Sequence, residues 1–406
     1  MNKSRAEHSR HRLWLFHMAL ALSGAINAAW AADQGGVNQF QLHGYATQGI
    51  AWSQGNNYYG PSNSGSAELG EIGLNAKWQP LPMLSASGSV MSRRAGAVES
   101  GSPKVDYLFA DLQLLSGENE GGMRLGRVRN AFGLFNETRD VAFARPSILL
   151  PTSSYNDAVG ARSLLFSSDG GQLYGRFGHG NNRSSITISA ALDFEASREE
   201  RRLLAAQAPV SEKLRFSGVG FAQLRTDWYD GSFTTALSYA RGSIDGQPTM
   251  ANPISLKADI DYYIASLRID RERYSLFGEY SAIRTQGFLA GPGFDARLNG
   301  ISDGAYLQFD LIHGPKLTSF VRQDLVYADR SDRSGNRYQA DTGQPAHRRS
   351  SRDTTLGFRW APLPNWGVWG EMHYIDGSYG YPRLDNTNQP PSKSTTLALM
   401  MIGFRF

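Results

Sequence analysis

The chain has 406 residues, with 41 Lys+Arg against 37 Asp+Glu, 44 glycines, 11% Phe, Trp and Tyr, and no cysteine. The missing cysteines exclude a disulfide framework, and so small and scattered a positive excess excludes the clustered basic footprint that nucleic-acid binding needs. Stability must then come from burial and hydrogen bonding.

Residues 1–31 read as a secretory leader. Lys3, Arg5, Arg10 and Arg12 form a positive start, Leu13 to Leu22 an apolar run, and Ala29-Trp30-Ala31 a small-x-small cleavage site. That run is too short to span a bilayer as a helix. The mature chain, 32–406, starts at Ala32 and carries 37 basic against 36 acidic residues, so the pI near 9.1 is partly a property of the leader.

From Phe40 onward apolar and polar residues alternate, the period of a strand with two unlike faces. Phe40, Leu42, Gly44 and Ala46 take one face; Gln41, His43, Tyr45 and Thr47 take the other. Ile72, Leu74, Ala76 and Trp78 read as outward, with Glu71, Asn75 and Lys77 inward. The pattern predicts strands near 40–52, 71–78, 84–93, 105–115, 123–129, 171–178, 184–193, 215–228, 232–242, 258–270, 274–284, 304–312, 317–328, 353–361, 366–375 and 395–406. Short turns such as Tyr229-Asp230-Gly231 and His313-Gly314-Pro315 alternate with long connections at 53–66, 94–104, 130–170, 194–214, 243–257, 285–303, 329–352 and 376–394. A further hairpin at Asp169-Gly170-Gly171 would raise the count from sixteen strands to eighteen. One connection, Glu195 to Ala208, has a helical look and reads as a solvated helix at the mouth.

No apolar run after the leader approaches a membrane helix; the longest is Leu397 to Ile402. In lipid only helices and closed barrels satisfy every backbone group. The fold class expected is therefore all-β: an antiparallel transmembrane β-barrel with apolar residues outside and polar ones such as Ser85, Ser87, Ser89, Thr187 and Ser189 inside. Trp78, Trp228, Tyr229, Tyr274, Trp360, Trp366 and Phe406 fall beside short turns, as an interfacial aromatic girdle would.

The connection 130–157 differs from the others. It mixes a Gly-Leu-Phe turn, the cluster Glu137-Arg139-Asp140, Arg145-Pro146 and the apolar run Ile148-Leu149-Leu150. Enough apolar residues lie in it to pack on a surface and enough charge to line water, so it is expected to fold into the bore and narrow it. A surface flap with its own small core is the alternative. On the loop, Glu137, Arg139, Asp140 and Arg145 are the candidate constriction charges. On the wall, inward parity selects Arg127, Arg129, Arg322 and Arg359, with Lys77 and Arg93 beside them. Glu371, Glu279, Asp310 and Asp324 share that parity, so the lumen is mixed in sign. Each of these charges could equally pin loop to wall.

The last residues, Met400-Met401-Ile402-Gly403-Phe404-Arg405-Phe406, resemble the C-terminal signature of Gram-negative outer-membrane proteins. Gly126 to Leu134 (GRVRNAFGL) resembles the junction between strand and constriction loop in porins. With the strand count and the long third loop, the mature chain is similar to the sixteen-strand general and substrate-selective porins. That resemblance implies a water-filled outer-membrane pore, a homotrimer, with the third loop inside and Phe406 read by the outer-membrane assembly machinery. Its partners would be membrane lipid, lipopolysaccharide and small hydrophilic solutes or ions. General porins usually face an acid-rich loop with a basic wall, whereas here arginines stand among the loop acids.

Arginine holds carboxylate or phosphate bidentately and keeps its charge, so the expected activity is passive diffusion with a mild anion or zwitterion preference. A carboxylate- or phosphate-selective channel is the alternative. No Gly-x-Ser-x-Gly elbow, phosphate-binding glycine loop or His-Glu-x-x-His motif occurs, so no enzyme, metal or cofactor is expected. A plugged barrel acting as an enzyme or adhesin, with His43 or His373 inside, remains the rival class.

Overall fold

The computed structural model describes residues 39–156, 165–207, 210, 213–249 and 252–406. The expected leader, 1–31, lies outside the described residues, as does Asp157 at the end of the expected constriction loop.

The chain is built of strands. β1 (Gln39–Gln54), β2 (Ser66–Leu81), β3 (Leu84–Ala95), the two-residue β4 (Glu99–Ser100), β5 (Lys104–Leu115) and β6 (Asn119–Arg129) precede the long third loop. After it come β7 (Ser167–His179), β8 (Asn182–Ala191), the two-residue β9 (Phe194–Glu195), helix α1 (Arg198–Gln207), β10 (Lys213–Trp228), β11 (Phe233–Gln247) and β12 (Ser255–Asp270). β13 (Tyr274–Gly291), β14 (Phe294–Ile312), β15 (Leu317–Tyr327), helix α2 (Asn336–Thr342), β16 (Ser350–Trp360), β17 (Trp366–Gly377) and β18 (Ser394–Arg405) complete it.

Each long strand pairs antiparallel with its sequence neighbour, and β18 pairs with β1 from Tyr45↔Arg405 to Gln54↔Thr396. The sheet thus closes into a barrel of sixteen staves, with β4 and β9 as small additions beside β3 and β10. Phe406 completes the seam: its N–H donates to Gly44 O at 3.0 Å and its carbonyl accepts from Gly44 N at 3.1 Å. The Phe406 ring lies over Gly44, where a β-carbon would come within 2.4 Å of it. No extra hairpin forms at Asp169-Gly170-Gly171, which sit inside β7.

The alternation sorts as expected on the outside. Leu108, Leu125, Leu173, Leu237 and Leu356 are each more than half exposed. In water that would be an aggregation surface; on a barrel it is the lipid band. Trp78, Trp228, Tyr229, Tyr274, Trp360 and Trp366 are also exposed, all near the short turns.

Three expectations change. The stretch 285–303 is not a loop: β13 and β14 run through it and meet at a two-residue turn, Pro292-Gly293. At 18 and 19 residues these strands exceed the roughly 9–11 a bilayer needs, so their outer ends stand beyond the lipid, where no apolar alternation is required. Helix α1 is not simply solvated: Leu203 is buried, and Leu204 packs beside a cluster that contains Leu214 and Phe216. Nor is the lumen polar throughout. Inward-facing Leu397, Leu399 and Met401 of β18 are buried against the third loop, and Phe221, Tyr262 and Ile264 form a second internal cluster.

Candidate functional site

The third loop leaves β6 at Asn130 and is folded into the bore. Its neck is closed by Asn130 N–H to Phe166 O (3.0 Å), Asn130 Nδ2 to Ser168 Oγ (2.8 Å) and Asn136 Nδ2 to Asn130 O (2.9 Å). Phe132 then packs edge-on against Phe221 and Tyr262, and Phe135 against Phe277 and Tyr155. Between them Gly133 is held at φ +63°, a left-handed turn where a β-carbon would also strike the Tyr155 hydroxyl at 2.3 Å. Farther on, Ala142 and Ile148 join the cluster of Leu397, Leu399 and Met401. Aromatic and aliphatic anchors thus hold the loop on opposite sides of the barrel.

Buried carboxylates of the wall hold the loop backbone between these anchors. Glu279 accepts Leu134 N–H at 2.7 Å. Glu371 accepts Ile148 N–H and, at 3.1 Å, Leu149 N–H. Asp324 accepts Thr152 N–H at 2.6 Å and Ser153 N–H at 3.4 Å. A loop without its own secondary structure carries backbone donors that must find acceptors when water is excluded. Hydrogen bonds to an ionised acceptor each contribute roughly 1.5–3 kcal/mol. The wall supplies donors too: Tyr45 O–H to Asp140 O, Arg322 to Ser147 Oγ (2.8 Å) and Leu149 O (3.0 Å), and Arg359 to Pro146 O.

The candidate charges divide into three groups. Arg139, Asp140, Arg145 and Arg322 are buried. Arg139 donates to Asn136 Oδ1 at 3.1 Å, and Arg145 to Glu71 Oε1 at 2.8 Å. Arg93 reaches the same Glu71 oxygen at 3.1 Å. Glu137 is exposed, while Arg129 and Arg359 are partly so. Arg129 bridges from Asp106 to Glu137 O, and Arg359 from Asp310 to Pro146 O. Arg127 stands apart from both. Its ladder partners are Leu108 and Asp169, so it shares a side of the sheet with exposed Leu108, and it pairs with Asp169 at 3.1 Å. Directly opposed residues in an antiparallel pair share a face, which puts Arg127 on the outer face rather than the inner one.

Sequence parity placed His373 inward but gave no partner for it. The ring is fully buried, with Nδ1 at 2.9 Å from Asp353 and 3.0 Å from Thr355 Oγ1, and Nε2 at 3.1 Å from Glu371. Both nitrogens are engaged and no solvent reaches them, so His373 clamps β16 to β17 and steadies the carboxylate that holds Ile148. The doubly apolar reading of β12, where Ile260, Tyr262 and Ile264 alternate with Tyr263, Ala265 and Leu267, was the available signal that part of the inner wall is not polar.

Water-accessible space lies on both sides of the loop. On the long-connection side is a cavity of about 570 Å³ floored by Arg139, Thr152 and Tyr155. On the short-turn side are spaces of about 690 Å³, lined by Leu134, Arg225, Asp227, Arg268 and Asp270, and about 360 Å³, lined by Lys77, Asp111 and Arg124. Salmonella typhi OmpF, solved with daunomycin, matches with a TM-score of 0.59 at 12% identity, covering 91% of this chain and 98% of that one. The outer-membrane channel DcaP of Acinetobacter baumannii matches at 0.56 and 10% identity, covering 92% and 99%. OmpT of Vibrio cholerae, an outer-membrane protein, matches at 0.56 and 10%, covering 92% and 100%. The fold is that of the outer-membrane porins. No protein-family model matches the chain, and no curated protein does. The porin fold, its closed seam and its exposed apolar band together place the chain in the outer membrane.

Proposed function

We propose that this chain is a porin: an outer-membrane channel for passive diffusion of small hydrophilic solutes, with a mild preference for anions and zwitterions. The observation that carries this reading is the third loop, held inside the barrel by paired charges and flanked by aqueous space on both sides. Selection at such a waist follows from its width and from the charges around it. Glu137, Arg129 and Arg359 keep surface toward the bore and would set the transverse field, whereas Arg139, Asp140, Arg145 and Arg322 act through the shape of the loop. Arg129 and Arg359 pair with Asp106 and Asp310, but in each pair the arginine keeps more surface than its acid, so it is the cation that faces the water and biases the field toward anions.

A trimer is the assembly we favour, because one matched structure, OmpT of Vibrio cholerae, is a trimer form. Residues 1–31 would be removed on export. A carboxylate- or phosphate-selective channel is the second reading, favoured by the arginines that line the outer cavity. Enzymatic activity is not part of either.

Planar-bilayer recording of the purified protein tests the proposal. Stepwise ohmic conductance, with a reversal potential on the anion side in a salt gradient, is the expected result. A barrel that inserts and stays electrically silent would overturn it.

A further inference from the structure

The cavity above the loop has a wall unlike that of a simple aqueous bore. Its volume of about 570 Å³ falls in the range of roughly 300–1,000 Å³ typical of ligand pockets. Phe216, Phe221, Ile260 and Ile283 present apolar surface to it from β10, β12 and β13, and Leu204 of α1 leans over it. Apolar area is more stable out of water, so a concave apolar wall inside a water-filled barrel is stabilised by whatever apolar group covers it.

The polar groups beside this wall are of one sign. Three arginines (Arg139, Arg349 and Arg383) line the cavity from within, and Asp303 is the one acid among the described residues that does; Arg241, opposite Asp261 and next to buried Ala240, belongs to the outer face of β11. Asp303 is already taken by Arg330 at 3.1 Å and by Arg333. Arg383 donates to Ala206 O at 3.1 Å, which ties α1 to the last long connection. Arg349 has no carboxylate within ion-pair distance among the described residues. Arg349 lies over the Tyr338 ring at 4.9 Å, and its Nε is a buried donor that no acceptor meets. The terminal nitrogens of Arg349 are not covered in this way and could donate charge-assisted hydrogen bonds to an incoming oxyanion.

We propose that this cavity binds amphipathic organic anions: a ring or chain against Phe221, Ile260 and Ile283, and a carboxylate or like oxyanion at Arg349. The site lies on the outer side of the loop, so such a solute would be concentrated before it meets the waist. This goes beyond diffusion of small hydrophilic solutes, and the binding stands or falls without reference to conductance.

Calorimetric titration of the whole mature protein in lipid nanodiscs tests it, with 2-naphthoate as probe, acetate as the charge-only control and 2-naphthalenemethanol as the body-only control. Saturable 2-naphthoate binding, at least about tenfold tighter than either control, is expected. Arg349→Ala should weaken it about tenfold or more, Arg349→Lys less, and Ile283→Ser comparably to Arg349→Ala, while Arg241→Ala on the outer face should leave it unchanged, with strand content unaltered in each. Naphthoate heats no different from empty nanodiscs would overturn the proposal, as would equal binding of the alcohol or indifference to Arg349→Ala. Conductance without naphthoate binding would sink this site and leave the channel standing. Binding to an electrically silent barrel would do the reverse.

Discussion

Arg145 of the third loop and Glu71 of β2 form an ion pair of 2.8 Å with both side chains almost wholly removed from water. The same carboxylate oxygen accepts Arg93 from the neighbouring strand at 3.1 Å, and Arg93 also reaches Glu99 at 3.5 Å. One acid therefore couples loop to wall. Removing a partner from a buried pair is far more damaging than the pair is stabilising, because the remaining charge has no solvent.

Glu71→Ala should therefore release the loop at a local cost of roughly 3–5 kcal/mol. The barrel ladder does not depend on this side chain and should persist. Limited trypsin digestion checks it: cleavage after Arg139 should become fast in the variant while the strands stay resistant. Equal resistance in both proteins would show that the loop is held without Glu71, by the apolar anchors and the remaining carboxylates of the wall.

Charge at the waist is carried by few groups with surface toward the bore. Replacing Arg129 and Arg359 together by Ala removes two cations and uncovers Asp106 and Asp310, their present partners. The reversal potential in a KCl gradient should move toward the cation side. The Arg127→Ala variant should leave it where it was, since Arg127 and Asp169 occupy the outer face. A shift with Arg127→Ala and none with the double variant would contradict the placement.

At the seam of the barrel the Phe406 ring occupies the space that a side chain at Gly44 would need. Gly44→Val puts carbon where the ring lies, and overpacking of this kind typically costs about 1–3 kcal/mol. The folded fraction after refolding into detergent, read from heat-modifiable mobility on a gel, should fall. Adding Phe406→Ala should restore part of it, because the obstructing ring is gone. Refolding in detergent involves no cellular assembly factor, so the readout reports packing at the seam.

His347, in the connection between β15 and β16, accepts Ser378 N–H at its carbonyl (2.8 Å) and meets Ser378 Oγ with Nδ1 at 3.1 Å. Burial, and then the nearby charge of Arg348, hold its imidazole below the ordinary value. A lowered imidazole value means that the folded form takes up a proton less readily than the unfolded one. Its contribution is thus complete above about pH 6.5 and is lost as pH falls through the lowered value. Hydrogen-exchange protection of Ser378 N–H, corrected for intrinsic rate, should drop between about pH 7 and pH 5. In His347→Gln it should be flat over that interval, and a drop of the same size there would assign the effect to another group.

Local pattern alone determined much of this protein. Alternation with a period of two located all sixteen staves, because side chains on a strand point to opposite faces whatever the rest of the chain does. Turn residues separated the short-turn side from the long-connection side, and the mixed composition of 130–157 marked the loop that goes inside. The sharing of Glu71 by Arg145 and Arg93, the clamp on His373 and the apolar outer cavity were decided by tertiary structure. Parity says which face a residue occupies; it does not say what the loop lays across that face. Arg127 shows the limit even of parity, since the register beside Leu108 turned it outward. Contacts between residues far apart in the chain depend on how the staves are staggered and how the loop curls, and neither leaves a local trace in the order of amino acids.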